Sequence, residues 1–234
     1  MPLAVGILAS GVINASGPPM TGLLWWFDAD DVLTITQSFG LVSQWNDKSG
    51  AANHATSGSG FQPTIASDGL KVGRKSLVFA GGTRFDINNG WANQKPFTAV
   101  AVVKHTNTAA YRAIIGSPYV GSLEWRISST HKQSVVKNQV VELGVTTPVV
   151  TANATVVLIV TYSAVGLLTC YMDGVSQLSV TNDQAFNASS ALAYIGNAFS
   201  EPFTGTIGEL IKYDHVLDST ELTQVNNYLN TKWK

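Results

Sequence analysis

The chain holds five glutamates, four histidines and one cysteine among 234 residues, so the chemistry open to it is quickly enumerated. Retaining glycoside hydrolysis needs two carboxyl groups roughly 5 Å apart, which one strand can supply from alternate residues on a shared face. Glu124, Glu142, Glu201, Glu209 and Glu221 show no such spacing, and Glu209 is flanked two residues away by Ile207 and Ile211. Glu209 therefore reads as structural, accepting backbone amides or pairing with Lys212 or Arg84. Cys170 sits inside the apolar stretch Leu167–Met172 with no histidine nearby, the setting of a buried, inert thiol. His54, His105, His131 and His215 lie far apart and lack the i, i+4 spacing of metal ligands on a helix. His54 reads instead as a residue that orders its own loop. Gly81-Gly82 precedes a strand, whereas phosphate loops use a helix N-terminus. Sugar binding asks for different residues: an exposed aromatic face flanked by amides. Trp91 in INNGWANQKP fits, with Asn89 and Asn93 beside it, and Tyr119 in GSPYVGS is a second loop aromatic. The alternative for Trp91 is an indole that plugs the edge of a sandwich.

These residues must be positioned by β-structure. Phe97–Val103 is apolar and β-branched throughout, as a buried strand should be. Tyr111–Ile115, Leu123–Ile127, Ser134–Leu143, Thr155–Tyr162, Leu167–Met172, Ala191–Ile195 and Thr204–Tyr213 are further strand candidates. Asp173-Gly174 is the dipeptide of a type I′ hairpin, because both central residues need positive φ. Many short strands with Gly and Asn turns make an antiparallel sandwich rather than alternating βαβ units. One helix closes the chain: Asp218 caps it with Glu221 three residues on, and Leu222, Val225, Leu229 and Trp233 form one apolar stripe.

Charge is scarce and unevenly placed. Charged residues make up 12% of the chain, against roughly 25% in ordinary soluble domains. Hydrophobic content of 45% excludes a disordered chain, and a net charge of -1 gives no footprint for nucleic acid. A single cysteine excludes an internal disulfide. No charge precedes Asp28. Residues 1–23 therefore read as an apolar arm, with Leu3, Val5, Ile7, Leu8, Val12 and Ile13 as the side chains to be buried. No Lys or Arg precedes the apolar stretch, which argues against a secretory signal, and Pro2, Gly6, Ser10, Gly11 and Asn14 interrupt it too often for a membrane span.

The closing stretch FTGTIGELIKYDHVLDSTELTQVNNYLNTKW, Phe203–Trp233, resembles the end of concanavalin A-like, laminin-G-like jelly rolls of the bacterial and bacteriophage type. WFDADD with VSQWNDKSGAANHAT resembles their opening, SLVFAGGTRFDI a following strand pair, and TVVLIVTYSAVGLLTCYMDGVSQ the central hairpin. The resemblance implies an all-β, two-sheet antiparallel jelly-roll sandwich over residues 24–234, with a short C-terminal helix and an extended N-terminal arm. It implies core positions for Trp26 and Trp45, and it implies a rim calcium site. Calcium takes roughly 6–8 oxygen ligands. Asp28 and Asp47 are the carboxylates best placed to begin such a set, while Asp47 with Ser49 also reads as an Asx turn. The glucanases that share this fold carry Glu-x-Asp-x-x-Glu on one strand, which is absent from this sequence.

Two functional expectations follow. The first is a non-enzymatic phage virion module (capsid decoration, fibre or tail component) anchored by its arm among other virion proteins or copies of itself. The second is a secreted or cell-surface adhesin that binds host glycan through Trp91, Asn89, Asn93 and Tyr119. Neither needs a cofactor, with calcium the one metal left open.

Overall fold

A computed structural model describes residues 17–88, 91, 95–106, 109–119, 122–137, 141–184 and 192–234. The arm residues Leu3, Val5, Ile7, Leu8, Val12 and Ile13 lie outside the described residues, as do Asn89 and Asn93. Leu23, expected as the last residue of the arm, belongs to the first strand.

In chain order the strands are β1 (Leu23–Asp28), β2 (Ile35–Ser38), β3 (Leu41–Trp45), β4 (Ala55–Thr56), β5 (Thr64–Ser67), β6 (Lys75–Phe79), β7 (Phe85–Ile87) and β8 (Phe97–His105). There follow β9 (Arg112–Gly116), β10 (Leu123–Ile127), β11 (Lys132–Lys137), β12 (Val141–Val149), β13 (Val156–Tyr162) and β14 (Leu167–Met172). Then come β15 (Val175–Thr181), β16 (Ala193–Ile195), β17 (Gly205–Tyr213) and the helix α1 (Ser219–Trp233). All pairings among them are antiparallel.

The first sheet runs β15-β14-β13-β8-β17, with β1 and β6 sharing the far edge of β17. The second runs β4-β7-β16-β9-β10-β11-β12. Strands β2, β3 and β5 join the two at one end. This is the expected jelly-roll sandwich. The run Ser134–Leu143, expected as one strand, contributes to two, β11 and β12, which pair with each other.

Alternation on the strands builds the layers. Phe97, Ala99, Ala101 and Val103 of β8 point inward with Leu158 and Val160 of β13, meeting Leu123, Trp125 and Ile127 of β10 across the sandwich. The intervening Val100, Val102, Val157 and Ile159 point the other way, into a second apolar layer under α1. There Val225, Tyr228, Leu229 and Trp233 of the helix cover them. The cap forms as expected: Asp218 accepts from the amides of Thr220 and Glu221 at 2.8 and 2.9 Å, and Glu221 accepts from the Asp218 amide at 3.0 Å. At the Asp173-Gly174 turn both φ angles are positive, 52° and 82°, as a type I′ hairpin requires. The register of β17 shifts between Ile207 and Glu209, so Ile207 faces the sandwich core while Glu209 faces the helix. A side chain at Gly208 would place its Cβ 2.9 Å from the Trp233 ring, so glycine lets the helix lie close to the sheet.

Candidate functional site

The expected glycan platform is not where Trp91 is. The indole is 1% exposed, lies parallel to Trp125 at 6.3 Å between ring centroids, and meets Phe97 at 5.6 Å. Its Nε1 donates to the Leu123 carbonyl at 2.9 Å. A buried ring offers no face to a sugar, so Trp91 is corrected to a core residue that plugs the sandwich. Tyr119, between β9 and β10, is 49% exposed and keeps a free ring surface. Asp28 and Asp47 are likewise corrected as metal ligands. Asp28 binds the Lys48 ammonium through Oδ2 at 2.9 Å and that of Lys232 through Oδ1. Burial pushes the Asp28 carboxyl up, but the two ammonium groups outweigh it and hold it below the ordinary carboxylate range. Asp47 accepts the amides of Trp26, Ser49 and Asn53 and the Ser49 hydroxyl, the Asx arrangement its sequence indicated. His54 orders the same loop, accepting from the Asp47 amide at 3.1 Å. Among the described residues no three His, Cys, Asp or Glu side chains gather as a metal site. Cys170 is buried, which pushes its thiol up to about 12 and leaves it inert.

The outer face of the first sheet is closed by α1, and its buried carboxylate is saturated. Glu209 Oε1 accepts from Trp26 Nε1 at 2.6 Å and the Tyr228 hydroxyl at 2.8 Å. Oε2 accepts from Trp233 Nε1 at 2.7 Å and Lys232 Nζ at 3.0 Å. The partners expected for Glu209, Lys212 and Arg84, are both elsewhere. Lys212 points into the sandwich, 5.6 Å from the Phe97 ring, and burial lowers its amine to about 7. Trp26, expected in the core, is half-buried at the rim of this network with Lys48 4.3 Å over its ring.

The outer face of the second sheet is built differently. Following the register from strand to strand, Asp86, Tyr194, Gly116, Glu124, Val136 and Glu142 stand in one row across β7, β16, β9, β10, β11 and β12. Their neighbours along each strand (Phe85, Ile87, Ile195, Leu123, Trp125, Val135 and Leu143) face the core. The row therefore belongs to the face turned away from it. Two arginines on this face are each held between aromatic rings and a carboxylate. Arg84 lies 4.3 Å over Phe61 and 4.2 Å over Tyr194, and its Nε donates to Asp86 at 3.1 Å. Arg126 lies 4.1 Å over Tyr111, and its Nη1 donates to both oxygens of Glu201 at 2.8 and 2.9 Å. Phe61 and Tyr111 remain 43% and 42% exposed.

Glu124 lies beside the second cluster. It is fully buried, neither oxygen has a hydrogen-bond partner, and Arg126 Nη1 is 3.9 Å away. Burial, and after it the Glu201 carboxyl, raise Glu124 to about 9, so it is a neutral acid at pH 7. Glu201 reaches this position from a turn in which Phe199 and Ser200 both take positive φ, 47° and 68°. Two adjacent side chains in the left-handed region store backbone strain of a kind found at ligand sites. None of Phe61, Arg84, Tyr111, Arg126 and Glu201 was singled out from sequence as a sugar-binding residue. The signal was present in LEWRI, where Glu124 and Arg126 alternate with three core residues.

A family model for the concanavalin A-like lectin/glucanases superfamily (Laminin_G_3) matches residues 79–223. The chain belongs to this superfamily. No curated protein matches it in sequence. Among solved structures it is similar to domain 4 of an extracellular arabinanase from Geobacillus stearothermophilus, in complex with arabinotriose. The TM-score is 0.68 and the identity 15%, over 87% of this chain and 98% of that one. It is also similar to botulinum neurotoxin type C, whose cell entry depends on interaction with two ganglioside molecules (TM-score 0.64, identity 11%, 90% of this chain and 52% of that one). A third likeness is to the Trypanosoma rangeli sialidase in complex with sialic acid (TM-score 0.57, identity 16%, 90% of this chain and 33% of that one). This chain thus spans about half of the toxin chain and a third of the sialidase chain. At these identities the likeness establishes the shared fold.

Proposed function

We propose that this chain is a non-catalytic carbohydrate-binding module that takes glycan on the outer face of its second sheet, at an extracellular or cell-surface location. The observation that carries the reading is the pair of half-exposed rings, Phe61 and Tyr111, each backed by an arginine that a carboxylate fixes in place. Sugars bind by laying their C–H faces on aromatic rings while planar polar groups take the hydroxyls, and rigid partners lower the entropy lost on binding. The solved structures described with arabinotriose, sialic acid and gangliosides support this reading over a virion role. Among the described residues no helix is long and apolar enough to cross a membrane. Tyr119 is a secondary contact in this scheme, and Trp91 is not a contact.

Binding as a module also fits the carboxyl groups better than hydrolysis does. Glu124 and Glu201 are neighbours, but Glu124 is inaccessible and Glu201 is held by both its oxygens on Arg126. A glycan array followed by calorimetry on the strongest binder tests the reading. Tyr111→Ala and Phe61→Ala should each weaken binding at least tenfold with Tm little changed. Trp91→Phe, if folded, should bind as wild type does. Binding that survives loss of both rings would place the site elsewhere.

A further inference from the structure

Resting on that reading, we infer that the face selects uncharged glycans and turns away sialylated ones. A sugar carboxylate is best held by a guanidinium that can offer two parallel N–H bonds and has no carboxylate of its own. Here both arginines are already neutralised. Arg126 is held by Glu201 through two contacts and Arg84 by Asp86 through one, and each guanidinium also has an aromatic ring against its plane. A sialic acid would meet guanidinium groups whose charge a protein carboxylate already balances.

The rest of the face carries no compensating positive field. Glu142 is exposed in the same row as Asp86, with Ser134 donating to it at 3.2 Å. Lys132, on β11 beyond the end of β10 and on the same side as Ser134, adds an ammonium that is a single-point donor rather than a planar fork. Counting Asp86, Glu142 and Glu201 against Arg84, Arg126 and Lys132, with Glu124 protonated, the described residues of the face sum to zero charge. A balanced face gives a sugar carboxylate no net attraction to offset its desolvation and leaves hydroxyl recognition untouched, because ion-paired carboxylates still accept from O–H groups through their remaining lone pairs.

The logic also says how to reverse the preference. Removing the charge of the protein carboxylate, by Glu201→Gln or Asp86→Asn, frees a guanidinium that is already positioned beside an aromatic ring. The experiment is an array of neutral oligosaccharides and their sialylated counterparts, lactose with 3′-sialyllactose among them, followed by calorimetry on matched pairs. Wild type should bind at least one neutral glycan at least tenfold more tightly than its sialylated counterpart. Either variant should narrow or invert that ratio by at least fivefold, and the second variant decides if the first does not fold. Equal or tighter wild-type binding of the sialylated partner would overturn the inference while leaving the glycan-binding reading standing. Unchanged ratios in both folded variants would also overturn it. Absence of binding to every glycan on the array would overturn the underlying reading and the inference with it.

Discussion

Two buried glutamates on opposite outer faces of the sandwich meet opposite fates. Glu209, on the first sheet, lies under a helix and receives four donors, from Trp26, Tyr228, Trp233 and Lys232. Glu124, on the second sheet, has no hydrogen-bond partner and keeps its proton to about pH 9. The first face is closed around its carboxylate: both Glu209 oxygens are saturated, and the network locks α1 to β17 and β1. The second face holds strain and an unsatisfied acid beside half-exposed rings and preset arginines. A buried acid raised far from its ordinary value beside exposed rings is what marks a surface as a candidate site. The first face is built for stability, and the second is the one proposed for recognition.

The largest effect that could break this contrast is at Glu209. Glu209→Ala would take the acceptor from two indole N–H groups and a phenol and leave the Lys232 ammonium on Asp28, costing about 3 kcal/mol. Urea denaturation would report it as a lowered midpoint. A loss below about 1 kcal/mol would mean that the network locks nothing.

Glu124 should respond in the other direction. Its folded value is above its unfolded value of 4.5, so the folded chain binds the extra proton. The stability this contributes is intact below about pH 4.5 and is lost progressively as pH rises toward 9, by up to about 1.4 kcal/mol per unit. Glu124→Gln should abolish that slope and match or exceed wild type in stability at pH 7. Comparing the two proteins at pH 5 and pH 7 isolates the effect, because the buried Lys212 titrates above that window. A wild type whose stability does not fall between pH 5 and pH 7 relative to the variant would contradict the account.

Lys212 supplies a smaller check with the reverse sign. Its amine is lowered to about 7 from 10.5, so between those values the unfolded chain binds the extra proton and stability rises with pH. Lys212→Met should remove this rise and stabilise the fold near pH 7, as thermal melts at pH 7 and pH 10 would show. Smaller again is Asp218→Ala, which removes the helix cap at a cost of about 1 kcal/mol and loosens the cover over Glu209. Its signature is faster amide exchange in the first turn of α1, with glycan binding unchanged. Weakened binding in that variant would show that the two faces are coupled.

Much of the sandwich was legible in the sequence because periodicity reports burial. Leu123–Ile127 and Leu167–Met172 have the bounds their apolar patterns indicated, and the Asp218–Glu221 capping box formed as its spacing required. Trp91 was misread for a physical reason. Its polar neighbours in sequence describe a loop, but an indole set by its loop can still be drawn into the gap beside Trp125 and Phe97. The candidate face was illegible because it is made between strands. Asp86, Tyr194, Glu124 and Glu142 are scattered across more than a hundred residues of sequence. They enter one row only through a register that no local pattern encodes. Arg126 and Glu201 are 75 residues apart, and a turn with two left-handed residues brings them together.

The most direct test of the central claim is calorimetric titration of the best array glycan into wild type and into the Phe61→Ala/Tyr111→Ala double variant, with folding of both verified by thermal melt. The account predicts measurable affinity for wild type and a loss of at least a hundredfold in a double variant that remains folded. Undiminished affinity in that folded variant would contradict it.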